Sequence, residues 1–68
     1  MKNHYVYVPD ELDNTGLGQH HVFPSKADAN QALKVASVMF PSYAEEFDVV
    51  ETEDQATTDF EEWNSRGW

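Results

Sequence analysis

The sequence predicts an α+β fold. It is a small β-β-α-β domain, with a three-stranded antiparallel sheet of order 2-1-3 and one helix packed on a face. Three observations predict it. Segment 4–8 is rich in aromatic and β-branched residues, and segment 46–52 alternates Phe47 and Val49 with Asp48 and Val50. A third, shorter strand-like segment at 20–23 ends at a proline. Between 25 and 41 the apolar residues recur at helical spacing, bracketed by a serine and a proline.

His4-Tyr5-Val6-Tyr7-Val8 is the strongest strand, because aromatic and β-branched side chains suit a pleated surface. Alternation sets His4, Val6 and Val8 on one face and Tyr5 and Tyr7 on the other. Pro9 removes a ladder donor and ends it. Residues 9–19 read as a loop, with Asp10, Asp13, Asn14, Gly16 and Gly18 as turn formers. His20-His21-Val22-Phe23 reads as a second, shorter strand stopped by Pro24.

The helix follows. Ser25 is a natural N-cap, and Asp28 three residues on gives a weak capping box. Ala29, Leu33, Ala36 and Phe40 form one apolar stripe, with Ala32 and Met39 beside it. Pro41 ends the helix, because the residue before a proline is pushed out of the helical region. Phe47 and Val49 then alternate with Asp48 and Val50 in a third strand over 46–52. Strand 3 pairing with strand 1 puts residues 4–8 in the centre, and the crossover should be right-handed.

The chain divides into a β-β-α-β domain at 1–52 and an acidic linker with a short aromatic C-terminal helix at 53–68. Thr58-Asp59-Phe60-Glu61 fits a capping box and opens that helix, through about residue 64. Phe60 and Trp63 share one side of it. So short a helix persists only when docked. The natural place is the Tyr5–Tyr7 face; a second copy of the chain or a foreign partner are the alternative covers.

Composition narrows the function. The chain has 68 residues, 13 acidic against four basic, and no cysteine. One domain fits, and a chain this short buries only about 60% of its unfolded surface. Disulfides, thiolate zinc sites and thiol nucleophiles are excluded. No apolar run reaches the roughly 18 residues a membrane span needs, and residues 1–5 do not read as a signal peptide. The expected compartment is the cytoplasm. A net charge of -9 opposes direct binding to nucleic acid or anionic lipid.

Sites for chemistry are scarce. His4, His20 and His21 are the only imidazoles. Adjacent strand residues point to opposite faces, so His20 and His21 cannot both join His4 at a metal. Neither Asp10 nor Asp13 starts a loop with calcium-binding spacing, and Gly16-Leu17-Gly18 lacks the Gly-Lys-Ser/Thr of a phosphate loop. The serines have no catalytic motif around them, and so short a chain hardly encloses a cleft. No enzyme activity, cofactor or metal is expected.

Nine of the 13 acids lie between Glu45 and Glu62, with no Lys or Arg from Val35 to Ser65. Glu51, Glu53, Asp54, Asp59 and Glu62 are the candidate acidic contacts. Glu51 and Glu53 on one strand edge would stand about 6.6–6.8 Å apart. The aromatic candidates are Tyr5, Tyr7, Phe60 and Trp63, with Trp68 beyond them, because aromatics dominate binding hot spots. The expectation is a non-enzymatic protein–protein interaction module in an unknown process, with a homodimer open. The alternative is a nucleic-acid mimic that occupies a nucleic-acid-binding protein, since rows of carboxylates imitate a phosphate backbone. In general style the chain resembles small acidic proteins of bacteria and their phages, which assigns no residue a role.

Overall fold

The computed structural model describes residues 3–9, 11 and 17–65. The turn formers Asp10, Asp13, Asn14 and Gly16, and the terminal Trp68, lie outside the described residues. Among the described residues the architecture is α+β, with a two-stranded antiparallel sheet, a long helix, a 3-10 helix over Pro41–Glu46 and a short helix. Strand β1 spans Asn3–Tyr7 and β2 spans Asp48–Thr52. Helix α1 spans Lys26–Met39, and α2 spans Phe60–Asn64.

The expected three-stranded sheet of order 2-1-3 is corrected to two strands. The pairing of the first strand with the segment near residue 50 does form, in the register Asn3↔Thr52, Tyr5↔Val50 and Tyr7↔Asp48. Residues 20–23, however, make only one bridge to β1. His4 N–H donates to Phe23 O at 3.1 Å, and Phe23 N–H returns to His4 O at 2.7 Å. The next rung would need Val6 O, but that oxygen accepts from Gly18 N–H at 2.9 Å. His21 N–H turns back onto Gly18 O at 3.1 Å, so the chain curls instead of extending. Gly18 has φ of 100°, a left-handed value that glycine adopts without steric cost.

The far side of this segment is occupied as well. Val22 N–H donates to Thr57 Oγ1 at 3.0 Å, and Val22 O accepts from Thr57 N–H at 2.8 Å and Thr58 N–H at 3.2 Å. Thr57 Oγ1 donates on to His20 O at 3.2 Å. Residues 57–58 thus clasp Val22 where a flat ladder would have continued. Within the acidic linker, residues 57–58 act as a strap.

Helix α1 begins as its caps dictate. Ser25 Oγ accepts Asp28 N–H at 3.2 Å. Phe40 leaves the helical region at φ -130°, ψ 67°, ahead of Pro41. Pro41 then opens a 3-10 helix, Pro41–Glu46, which takes over the first residue expected for the third strand. Ala29, Ala32 and Ala36 are fully buried, and their small side chains let α1 lie close to the sheet. Helix α2 starts one residue later than a Thr58 cap implies. Asp59 is the N-cap, its Oδ1 accepting Glu62 N–H at 2.8 Å.

The core lies between the sheet's inner face and α1. It joins Val6, Val8, Leu17, Phe23, Phe47 and Trp63 to the three helix alanines. Leu33, Val35, Phe40, Tyr43, Val49 and Phe60 pack around it, partly buried.

Candidate functional site

The two faces of β1 divide the aromatic candidates. Val6 on the inner face is fully buried. Tyr5 and Tyr7 therefore stand on the outer face, away from α1. Their partners across the strand gap are Val50 and Asp48. Tyr5 and Val50 are partly buried, Asp48 is exposed, and Tyr7 is 51% exposed. Asn3 and Thr52 complete this face at the far end of the sheet.

The short helix does fold back, but to the other side. Trp63 is only 2% exposed and sits in the core. Its ring meets Phe23 edge-on, with centroids 6.1 Å apart at 78°. That T-shaped arrangement suits the ring quadrupoles. Phe60 lies 6.0 Å from Trp63 and packs partly buried beside the core. Phe60 N–H donates to Asp28 Oδ2 at 3.3 Å, which ties the first turn of α2 to the first turn of α1. Trp63 therefore offers a partner almost no surface, and Phe60 only part of its ring.

The acidic candidates all lie at the surface. Glu51, Glu53, Asp54, Asp59 and Glu62 are exposed, as are Glu45, Glu46, Asp48 and Glu61. They do not form one regular row. β2 ends at Thr52, so Glu53 lies in a bend and does not continue the strand spacing from Glu51. Asp54 is fixed by its backbone: its N–H donates to Thr52 Oγ1 and its carbonyl accepts from Asn3 Nδ2 at 2.9 Å. Asp59 is occupied as a helix cap. Asp48 Oδ1 accepts Val49 N–H at 2.9 Å. That N–H points to the outer edge of β2. The backbone groups of His4 point to Phe23, so those of Tyr5 and Val50 point to each other and those of Val49 point to the outer edge. The bond blunts an edge that would otherwise invite strand addition.

His4 lies on the inner side, with its Nε2 4.0 Å from Glu51 Oε1 and its buried Nδ1 without a hydrogen-bond partner. His20 is exposed in the turn. Among the described residues no three His, Asp or Glu side chains gather into a group that could hold a metal. No described helix is long and apolar enough to cross a membrane.

Sequence reasoning missed one exposed surface. At the C-terminal end of α1, Val38 is 81% exposed and Met39 is also exposed, with Lys34 and Val35 adjoining. The signal was present: Lys34 and Val38 are four residues apart on the side opposite Ala29, Ala32 and Ala36.

No family model matches this chain, and no match is found to a curated protein or to a solved structure.

Proposed function

We propose that this chain is a non-enzymatic protein-interaction module that meets its partner through the outer face of the sheet. The observation that carries this reading is the contrast in aromatic use. Phe60 and Trp63 are spent on the core, whereas Tyr7 stands half-exposed beside Tyr5 and Val50. Tyrosine supplies large contact area with few rotatable bonds and is enriched at binding hot spots. A chain with no cysteine and an acidic surface suits the cytoplasm, the compartment we propose.

The test is capture from lysate by the tagged chain, by its Tyr7→Ala variant and by a Val38→Ala control, with every captured protein identified. A partner held by the parent and the control but lost from Tyr7→Ala is the expected result. Equal capture by all three would overturn the assignment of this face.

One observation favours a second reading, the nucleic-acid mimic: all nine acids from Glu45 to Glu62 are exposed. That reading requires the captured protein to bind nucleic acid and to release this chain when duplex DNA or RNA is added at low salt. Failure to compete there rejects it.

A further inference from the structure

The outer face has a chemistry more specific than exposure. Tyr7 and Asp48 are direct cross-strand partners, with Tyr5 and Val50 the next pair along. Directly opposed side chains in an antiparallel pair have Cβ atoms about 4.5–5.5 Å apart. An aromatic residue and an acidic residue thus occupy opposed positions on an exposed surface. Its bond to Val49 N–H holds the Asp48 carboxylate toward the outer edge of β2, and a carboxylate has about four lone-pair sites, so capacity remains for a donor that crosses the Tyr7 ring and reaches that edge.

A guanidinium fits this pair. It is planar and stacks on an aromatic face, and its fork of N–H donors matches a carboxylate. A lysine ammonium is a compact, strongly hydrated charge with no plane to stack. The field points the same way. Net charge is -9, and nine carboxylates are exposed between Glu45 and Glu62, so a basic partner is drawn in. A second copy or a nucleic acid is repelled.

Resting on the interaction-module reading above, we propose that Tyr7 and Asp48, flanked by Tyr5 and Val50, receive an arginine side chain from a basic segment of the partner protein.

The experiment is calorimetric titration of the full chain with hexa-arginine and hexa-lysine peptides at matched ionic strength. Stacking on an exposed ring should make hexa-arginine bind about two- to fivefold tighter. Tyr7→Phe should keep that preference and Tyr7→Ala should erase it, with unchanged circular dichroism showing that both variants are folded. Asp48→Asn retains an acceptor for Val49 N–H, and it should weaken hexa-arginine binding more than Glu61→Gln, which removes the same charge elsewhere. Equal affinity for the two peptides, or a preference that survives Tyr7→Ala, overturns the proposal and leaves only the general field. If capture of a partner still depends on Tyr7 while the peptides bind alike, the arginine assignment falls and the interaction module stands. If capture ignores Tyr7, the module assignment falls by its own test.

Discussion

Tyr5 and Tyr7 are two residues apart on β1, and Phe60 and Trp63 are three apart on α2. Both pairs are aromatic. In the structure they have opposite fates. Trp63 closes the core against Phe23, whereas Tyr7 remains half in solvent. The difference lies in what each element can bury. Strand β1 already buries Val6 on its inner face, so alternation sends the tyrosines outward. A five-residue helix has no stability of its own, and it exists here because its largest side chain is inserted in the core. Aromatic density marks where a chain can gain binding energy. The side of the sheet decides whether that energy is used within the fold.

Mutations can break this contrast, and the largest effect belongs to Trp63→Ala. Truncating a buried tryptophan costs about 3–5 kcal/mol. Small domains have total stabilities near the lower end of about 5–15 kcal/mol. The variant should therefore lose its cooperative urea transition or show it at a far lower midpoint. A midpoint close to the parent's would mean that α2 is not part of the core. A smaller effect is expected from Thr57→Val, which keeps side-chain shape but removes the hydroxyl from Val22 N–H and His20 O. Leaving the buried Val22 donor without a partner should cost about 1–2 kcal/mol, read as a shift of the same midpoint. An unshifted midpoint would show that the backbone bonds to Val22 O hold the strap unaided. Smallest is Tyr7→Ala, at under about 1 kcal/mol, because the ring is half solvated and only its fit to a pleated surface is lost. A loss as large as that of Trp63→Ala would make Tyr7 a core residue and remove the basis for its proposed role in binding.

Much of α1 was legible because its signals are local. Ser25, Asp28 and Pro41 each act within one turn of their own position. The pairing of β1 with β2 was legible from alternation at both ends. The second strand, residues 20–23, was misread because its fate depends on distant groups. His20 to Phe23 has a strand's composition, but Gly18 reaches Val6 O first and Thr57 takes the other side. Nothing near Val22 announces a threonine 35 residues away. Leu17 was passed over as a loop residue, although it is almost completely buried. A leucine set between two glycines in a polar stretch was the available sign. On the candidate site, the outward placement of Tyr5 and Tyr7 followed from strand periodicity. The burial of Trp63 did not, because helical spacing gives the side of a short helix without saying what that side meets.

The strap has a consequence for how the protein is made. Synthesis runs from the N-terminus, so β1 leaves the ribosome before α1, β2 and α2 and waits for what covers it. Its pairing with β2 gives only a two-stranded sheet, which is marginal in water. Phe23 meets its edge-on partner only when Trp63 emerges, and Val22 finds its backbone partners only when Thr57 and Thr58 do. The nascent chain therefore gains its stability late and all at once. A translation product interrupted within the strap would carry an open core and the exposed backbone of residues 20–23, both of which proteases and chaperones recognise.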